Sequence, residues 1–485
     1  MEAARESQST RWAARYLRRA LPVALALGAG LALRLWLLGK LFEVNGDMLV
    51  YGDLAKNLLR HGQYALSQPG GAIHSTLIRL PCYPLFLAVC FKVFGMENYF
   101  AAACVQIALD LLSCLLVVGF VRRVVPPPAS RGAAIATLWL AALCPFTASY
   151  SVALLAETPT IFMLALAMWA MARFHEDPRW VNALWFTFAV TVAALLRPDG
   201  ALAAVAFAPA LLIGLARKKE KSEIALRKPV RMAVVCGLLA MAPFAMWTAR
   251  NWRVFHVVEP LAPRYATDPG EETYPGWQRW VKTWCLDFVC TYDVYWPVPG
   301  EPLDLTKLPS RAFDTPAQYA ETAALAADYN DKDNGLDISP DMDARFARLA
   351  EERIAAHPLR YYVWLPLGRV ADMWLRPRVE NLNIDLDWWV YAHHHAETEF
   401  SWACAGLNAL YLLLAIAGLC MRPRFWGALL AYLLLRCALL WTVEAPETRY
   451  TLECFPMLFA LGGVVLSQLV DRPYLSKLKA VFGKV

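Results

Sequence analysis

Two carboxylates and two arginines stand where apolar stretches of the sequence end. Asp47 follows the first apolar run, in "VNGDMLVYGDLAKNLLRHG", and Glu157 lies at the edge of another, in "LLAETPTIF". Arg79 lies in "IRLPCYP" and Arg197 in "LLRPDG". A carboxylate within hydrogen-bond reach can take a proton from a hydroxyl group, and the planar guanidinium group matches phosphate oxygens. These residue types indicate proton transfer beside a phosphate.

Each of these residues also has a simpler interpretation. Asp47 comes at the start of a predicted amphipathic helix, where an aspartate commonly caps the backbone N–H groups. Glu157 could lie among lipid headgroups, although a carboxylate near a membrane segment is costly enough to favour a functional role. Arg197 could extend its charged end to the interface. Asp53 projects well round the helix from Asp47, so we expect it to be a support or surface residue.

The composition indicates a multispanning membrane protein. Of the 485 residues, 58% are hydrophobic and only 18% are charged, and 19 are tryptophan, which is outside the usual range of soluble domains. The formal charge is +6. The basic residues stand in short clusters between apolar runs, as in cytoplasmic loops, which excludes a nucleic-acid partner.

The apolar runs predict an all-α polytopic protein, because a membrane-spanning helix needs about 20 apolar residues. We place ten spans within a bundle of about 10 to 12, the first of them an uncleaved N-terminal helix. The segment 80–95 is short, opened by prolines and interrupted by Lys92, so we expect it to be interfacial or re-entrant. The ten spans are near 21–40, 99–121, 133–151, 153–173, 181–196, 201–216, 232–248, 402–420, 425–442 and 452–470.

The basic clusters predict the topology. If both termini are cytoplasmic, every strong basic cluster lies on the cytoplasmic side of a plasma, or inner, membrane. The outer side then receives the loop 42–98 with its amphipathic helix, the turns near 152 and 198, and the loop 249–401. We therefore expect three parts: a transmembrane module over 1–248, an external α-rich lobe over 249–401, and C-terminal spans with a cytoplasmic tail over 402–485.

The predicted lobe contains three further features. "DMDARFARLAEERIAAH" is an amphipathic helix too polar to enter lipid. "PLRYYVWLPLGRVADMWLRPR" could be an interfacial helix or half of an additional hairpin. Cys285 and Cys290 could form a disulfide, because they lie in an external loop. The other cysteines stand mostly in apolar runs, where a thiol behaves as a small hydrophobic group.

Five motifs in order carry a resemblance to a known superfamily. They are the Asp47, Tyr51 and Ala55 pattern, then "IRLPCYPLFL", "LLAETPTIF", "LLRPDG" and "ETRYTLECFP". The sequence resembles the GT-C superfamily of integral membrane glycosyltransferases. It is most similar to the branch that contains protein O-mannosyltransferases, the lipid A aminoarabinose transferase and dolichyl-phosphate-mannose-type enzymes. The resemblance covers roughly the first 250 residues, and the last third matches only in outline.

This resemblance implies roles for individual residues. Asp47 would be the base that removes the proton of an acceptor hydroxyl as it attacks the anomeric carbon, which inverts that carbon, and the leaving group would be a polyprenyl phosphate. Glu157 would position the acceptor or act as a second base. The donor phosphate would be bound by Arg79, Arg197 and Arg449, with Tyr51, Asp53, Tyr83 and Tyr450 in support. The acceptor could be a glycolipid, a glycan or a protein.

The sequence does not favour a metal. In "YAHHHAETE" the adjacent histidines 393–395 do not share a face, and some relatives hold a divalent ion through an acid where Arg79 or its neighbour stands here. We therefore expect no metal ligands and no certain cofactor, although a divalent cation is possible. "DLDW" would lie outside the cell, which favours a lipid-linked donor over a nucleotide sugar. Arg34 and Asp110 lie inside predicted spans, where they could pair with other helices or face a substrate cavity.

Two other classes of protein compete with the enzyme. A transporter or flippase for lipid-linked sugars explains the many spans, but it does not explain the external lobe or the acidic helix after the first span. A membrane scaffold explains only the hydrophobicity and leaves Asp47, Glu157 and Arg197 on one face by accident.

Overall fold

The computed structural model describes residues 2–217, 223–331 and 335–471. These residues form eighteen α-helices and one two-stranded hairpin, which confirms the predicted all-α fold. The predicted cytoplasmic tail lies outside the described residues from residue 472 onward, as does part of the basic loop, residues 218–222. The chain divides into two compact units, which we describe separately.

The first unit is the larger one and comprises residues 1–268, 410–433 and 452–485. Strands β1 (Ala65–Ser67) and β2 (Ile73–Ser75) pair in antiparallel fashion. The first ten helices are α1 (Glu2–Leu41), α2 (Asp47–His61), α3 (Cys82–Phe94), α4 (Tyr99–Val124), α5 (Ser130–Ala142), α6 (Pro145–Val152), α7 (Glu157–Glu176), α8 (Trp180–Leu196), α9 (Leu202–Arg217) and α10 (Glu223–Phe255).

The remaining helices follow residue 268. They are α11 (Pro275–Lys282), α12 (Phe288–Cys290), α13 (Pro316–Asn330), α14 (Pro340–Ala356), α15 (Leu365–Leu375), α16 (His395–Cys420), α17 (Trp426–Leu440) and α18 (Phe455–Asp471). The second unit consists of residues 269–409 and 434–451.

Five helices in the described residues are long and apolar enough to cross a membrane, and a bent pair makes six. The five are 20–41, 99–124, 230–255, 395–420 and 448–468. This count is lower than the predicted ten because several predicted spans fall on shorter apolar helices, among them α8 and α17. The chain is therefore a multi-pass membrane protein with fewer full-length spanning helices than expected.

Two predicted membrane segments differ in detail from simple spans. The expected span 133–151 is the bent pair of α5 and α6, whose axes differ by 50°, because Pro145 cannot continue the first helix and starts the second. Helix α3 has 13 residues, or about 20 Å, too short for a hydrocarbon core of about 30 Å. Its length fits the interfacial or re-entrant segment that the sequence predicted.

Helix packing in the first unit joins α4 to α5 and α7, α7 to α8, and α5 to α18. Arg34 of α1 and Asp110 of α4 pair with each other, with Nε donating to Oδ2 at 2.7 Å. Nη1 of Arg34 also donates to the carbonyl oxygens of Gly30 and Ala142, at 2.8 and 2.7 Å. The two charged residues thus tie α1 to α4 and α5, which answers the question that the sequence left open.

Helix α1 approaches α5 closely at Gly30. A Cβ atom on Gly30 would stand 2.9 Å from both the Cβ atom and the carbonyl oxygen of Ala142. Only glycine allows the backbones to approach this closely.

The second unit has a separate core built on tryptophan. Trp277, Trp280 and Trp284 are buried together with Phe346 of α14. Trp277 and Trp280 lie on one face of α11, because they are three residues apart in the helix. Helix α14 is the predicted amphipathic helix, and it begins where the Ser339 hydroxyl accepts a hydrogen bond from the Met342 N–H at 3.3 Å. This unit is where the predicted external lobe falls.

Two undecided features of the second unit are now visible. Cys285 and Cys290 form the disulfide that the sequence allowed. The segment after α14 forms one π-helical turn, Arg360–Trp364, that continues into α15. Leu359, Trp364 and Leu375 on this segment are exposed. Exposed apolar side chains suit an interfacial helix and a hairpin alike, so both alternatives stay predictions.

Candidate active site

Asp47 is the first residue of α2, and it does not act as the helix cap. The capping position belongs to Gly46, and no side chain caps the helix there. Oδ1 of Asp47 instead accepts a hydrogen bond from Nη2 of Arg79 at 2.7 Å. The Asp47 side chain is 37% exposed. Asp47 is thus a carboxylate held by an arginine and still open to solvent.

Tyr51 of α2 and Tyr64, which follows α2, hold Arg79 in position. The Tyr64 hydroxyl, beside the β-hairpin, donates to the Arg79 carbonyl oxygen at 2.9 Å. The ring of Trp247 packs edge-on against Tyr64, with centroids 5.1 Å apart. The Arg79 guanidinium lies 5.9 Å from the centroid of the Tyr51 ring, a cation–π distance. Backbone and side chain of Arg79 are both held in place beside Asp47.

Glu157 is the first residue of α7 and is buried. Its Oε1 accepts from Nη1 of Arg197 at 2.7 Å, and its side chain is 2% exposed. Arg197 directly follows α8 in an extended conformation. Its Nε lies 3.3 Å from Oδ1 of Asp199 and 2.8 Å from Oε1 of the buried Glu453. We call Glu157, Arg197, Asp199 and Glu453 the Arg197 cluster.

Tyr51 lies within electrostatic reach of both acid–arginine pairs. Burial raises the pKa of its phenol; Asp47 and Glu157 add to this rise, while Arg79 and Arg197 oppose it. Tyr51 also packs against a core that contains Ala156 and Leu196, the neighbours of Glu157 and Arg197 in sequence. The predicted residues Asp47, Glu157, Arg79 and Arg197 are thereby brought into one region of the first unit.

A chain of contacts leads from Tyr51 to the start of α7. The rings of Tyr51 and Tyr83 pack edge-to-face, with centroids 4.8 Å apart. The Tyr83 hydroxyl donates to Oε1 of Gln106 at 2.7 Å. Nε2 of Gln106 donates to the carbonyl oxygens of Ser151 and Ala153, at 3.3 and 2.7 Å. The turn that Gln106 holds directly precedes Glu157, so the amide connects Tyr83 to the position of that acid.

Sequence reasoning missed Gln106 and Glu453. Both are fully buried, Gln106 in the predicted span 99–121 and Glu453 at the start of the predicted span 452–470. A polar side chain inside a membrane segment is a signal for function, and it was available for both residues. The sequence could not show which groups they contact.

Asp53 holds the hairpin to α2. Its carboxylate accepts hydrogen bonds from the Ser67 N–H at 2.6 Å and from the Ser67 hydroxyl at 2.8 Å. Lys56 lies 3.5 Å from its Oδ1 atom. These contacts fit the supporting role that the sequence suggested.

Arg449 and Tyr450 belong to the second unit. Both contact the carboxylate of Glu447, Arg449 as an ion pair and Tyr450 through its hydroxyl. The Arg449 guanidinium also lies 5.8 Å from the centroid of the Tyr450 ring. The phosphate-binding role of Arg449 stays a prediction.

The site residues have no part in the groupings that could hold a metal. In the described ranges, the sets of histidine and carboxylate ligands close enough to share one ion do not include Asp47 or Glu157.

A family model matches part of the chain. The model of the dolichyl-phosphate-mannose-protein mannosyltransferase family matches residues 78–247, a segment that contains Arg79, Glu157 and Arg197. This match confirms the resemblance that the motifs indicated and supports a glycosyltransferase of the GT-C kind. No curated protein shows a significant match to the chain.

Two solved structures are similar at low levels. They are the crystal structures of ArnT from Cupriavidus metallidurans, bound to undecaprenyl phosphate and in the apo state. Each is 14% identical in sequence to this chain. The matches cover 92% and 95% of this chain, and 78% and 77% of the ArnT chains. The TM-scores are 0.39 and 0.35, and likenesses this weak support no conclusion about individual residues.

Proposed function

We propose that this chain, whose segment 78–247 matches the family model, is an inverting glycosyltransferase. It moves a sugar from a polyprenyl-phosphate donor to a hydroxyl acceptor at the external face of the membrane. The observation that carries the proposal is the pair of Asp47 and Arg79, 2.7 Å apart and partly exposed at the start of an amphipathic helix. The pair supports the proposal because a carboxylate can accept a proton and a guanidinium group matches phosphate oxygens.

The proposed reaction is a single displacement. The acceptor hydroxyl gives its proton to the Asp47 carboxylate while its oxygen attacks the anomeric carbon. The bond from that carbon to the phosphate oxygen breaks, and the electron pair leaves with the polyprenyl phosphate. Attack from the side opposite the leaving group inverts the anomeric carbon. The proton on Asp47 then passes to water, to which this side chain is open.

Arg79 has two tasks in this scheme. Its guanidinium group has five N–H donors, so it can bind the donor phosphate while it remains beside Asp47. A cation stabilises the charge that develops on the leaving phosphate. Arg79 thereby aligns the base with the bond that breaks.

The Arg197 cluster has a different task in our proposal. Three carboxylates lie around the Arg197 guanidinium, so this arginine holds Glu157 in place. Glu157 then positions the acceptor or acts as a second base. Binding of the donor phosphate by Arg197 and by Arg449 stays a prediction, and both arginines belong in the experiments.

The remaining assignments are also proposals. Residues 1–248 form the catalytic module, 249–401 cover the acceptor side, and 402–485 supply the C-terminal spans and the cytoplasmic tail. The acceptor is a glycolipid, a glycan or a protein. Basic residues at the ends of helices, such as Arg122 and Arg123 in the last turn of α4, favour an inner-membrane topology with both termini in the cytoplasm.

The test is transfer of radiolabelled sugar in proteoliposomes, with a polyprenyl-phosphate-sugar donor and a membrane extract as the acceptor source. Asp47→Asn is compared with the wild type and with Asp53→Asn, the same substitution on the same helix. We expect the first variant to lose transfer while it still binds the donor. Full transfer by Asp47→Asn would exclude it as the base. Movement of the sugar lipid across the bilayer without transfer would favour the flippase.

A further inference from the structure

A histidine and three carboxylates converge in the second unit, just before and within the first turn of α16. His394 Nδ1 lies 3.5 Å from Oδ2 of Asp385 and 4.0 Å from Oε2 of Glu397. On the other side of the ring, His394 Nε2 lies 3.2 Å from Oδ1 of Asp387. We call these four residues the His394 cluster. Nothing in the proposed transfer reaction uses them.

We propose that His394, Asp385 and Glu397 bind a divalent transition-metal ion, with zinc as the best fit. The three ligand atoms all lie within 4.8 Å of one another. In a tetrahedral zinc site with bonds of about 2.0 to 2.2 Å, ligand atoms stand about 3.4 Å apart. Nδ1 and the Asp385 oxygen already have this spacing at 3.5 Å, and Oε2 of Glu397 lies 4.0 Å from Nδ1, so Glu397 must move towards the ion.

Asp387 supplies the support that a metal-bound histidine needs. A histidine ligand normally donates its other ring N–H to a carboxylate, which fixes the tautomer and the orientation of the ring. With its proton on Nε2, 3.2 Å from Oδ1 of Asp387, His394 presents an unprotonated Nδ1 to the ion. This arrangement separates the cluster from a simple group of surface acids, in which no ring nitrogen has a defined role.

The surroundings fix the other ligands as well. Oε2 of Glu397 accepts a hydrogen bond from the backbone N–H of Asp385 at 3.1 Å, so these two ligands are linked before an ion binds. The backbone N–H of His394 donates to the Val390 carbonyl oxygen at 3.2 Å. His394 is mostly covered, with 20% of its side chain exposed, whereas both aspartates are exposed. An ion can therefore enter from solvent.

The choice of metal follows from the ligand set. Imidazole together with carboxylates suits zinc and its transition-metal neighbours, whereas calcium and magnesium prefer oxygen ligands alone. Bound zinc would fasten residues 385–394 to the beginning of α16, a candidate spanning helix. The site would thus stabilise the end of this unit's loop and take no part in sugar transfer.

Only one of the three adjacent histidines has this position. His395 stacks on Tyr391, with ring centroids 4.4 Å apart. His393 lies on the side of Asp387 and Nε2, where it forms an alternative grouping with Asp387 and His394. The expectation that neighbouring histidines do not share a face holds for His395. An ion on the Nε2 side of the His394 ring would use His393 as a ligand, whereas an ion on the Nδ1 side would not.

The test is zinc binding by the purified full-length protein in detergent after treatment with a chelator. Isothermal titration with zinc chloride should show one strong site per chain. We expect His394→Ala and Glu397→Gln each to weaken it at least about 100-fold, and Asp387→Asn about 10- to 100-fold. His395→Ala is the matched control and should bind zinc like the wild type. Magnesium should not compete.

Two results would overturn the proposal. If the wild type binds zinc no better than His394→Ala, the cluster is an ion pair around a protonated histidine. If His393→Ala removes binding while Glu397→Gln keeps it, the ion lies on the Nε2 side and our ligand assignment is wrong. Thermal unfolding with and without zinc provides a second measurement for every variant that folds. Zinc should raise the midpoint of the wild type and of His395→Ala only.

Discussion

Asp47 and Glu157 have the same kind of position in the first unit and very different surroundings. Each acid is the first residue of a helix, where a negative charge is favourable, and each accepts a hydrogen bond of 2.7 Å from an arginine. Asp47 pairs with Arg79 and is 37% exposed. Glu157 is 2% exposed and shares Arg197 with two further carboxylates.

This difference separates an acid that can exchange its proton with water from an acid whose removal acts first on folding. A base must meet its substrate and return its proton to water, which an open carboxylate can do. A buried ion pair loses about 3 to 5 kcal/mol when one partner is removed, because the other charge stays buried without compensation. We therefore expect changes at Asp47 to act on the reaction and changes in the Arg197 cluster to act first on folding.

The largest expected effect is on the rate of transfer by Asp47→Asn. Loss of a general base costs about 10²- to 10⁴-fold in rate, and we expect kcat to fall by this factor. The thermal midpoint should stay near that of the wild type, because the side chain is partly exposed. The rate is measured with saturating donor. A loss of rate that merely follows a loss of folded protein would contradict the assignment.

The second effect is on stability, and it compares Arg197→Gln with Arg79→Gln. We expect Arg197→Gln to destabilise the protein by about 3 to 5 kcal/mol, since its buried carboxylates lose their cation. Arg79→Gln should cost about 1 kcal/mol or less, as is usual for a partly exposed pair. Denaturation in detergent, followed by circular dichroism, measures both. Equal losses would remove the distinction between the two pairs.

The third effect is on donor binding by Arg79→Gln. If Arg79 holds the phosphate, the KM for the donor should rise about 10-fold or more, which corresponds to losing about 1.5 to 3 kcal/mol from a charged hydrogen bond. Arg79→Lys should restore part of the binding, because it keeps the charge but loses the planar fork. Steady-state kinetics at several donor concentrations give the values. An unchanged KM in Arg79→Gln would move the phosphate to other cations.

The fourth effect concerns Gln106, which links Tyr83 to the turn before Glu157. Gln106→Leu leaves the Tyr83 hydroxyl and the carbonyl oxygens of Ser151 and Ala153 without their partner, at a cost of about 1 to 3 kcal/mol. If Gln106 positions Glu157, kcat should fall several-fold with little change in the donor KM. Ser113→Ala is the control, because it removes only a bond to Leu109 within the same helix. If Gln106→Leu loses stability but keeps the kcat of the wild type, Gln106 is purely structural.

Local sequence patterns predicted much of this arrangement. The spacing of apolar residues gave the helix that starts at Asp47 and the amphipathic helix α14, and both have nearly the expected ends. Motif positions identified Glu157, Arg79 and Arg197, which the structure brings near Tyr51. The two helices were predictable because a helix and the residue at its end depend on neighbours in sequence, whereas the roles of the motif residues stay predictions.

The errors and omissions depend on distant contacts. Several predicted spans fall on helices too short for a full span, such as α8 and α17, because hydropathy alone does not show where a helix ends. The pairing of Arg34 with Asp110, and the contacts of Gln106 and Glu453, join residues far apart in the chain. The role of His394 was hidden for a related reason, because a run of histidines does not reveal which ring faces the acids.

The smallest effect is expected at an ion pair that no proposed reaction step uses, Arg360 with Asp314 in the second unit. The two N–H groups of Arg360 donate to the two Asp314 oxygens at 2.7 and 2.6 Å, and these hydrogen bonds lower the pKa of Asp314. A lowered carboxyl pKa stabilises the fold above the unfolded value of about 3.9, and this contribution is lost as the pH falls through the folded value.

Arg360→Gln should therefore lower stability by about 1 kcal/mol at pH 6, and the difference from the wild type should shrink as the pH drops below about 4. Sugar transfer should not change. The control is Arg279→Gln, whose pair with Glu351 is exposed on both sides and should contribute almost nothing. Denaturation at several pH values measures the effect. A stability difference that grows on acidification would contradict the expected pH dependence. The expected result would show that this pair serves folding alone, in contrast to Asp47 with Arg79.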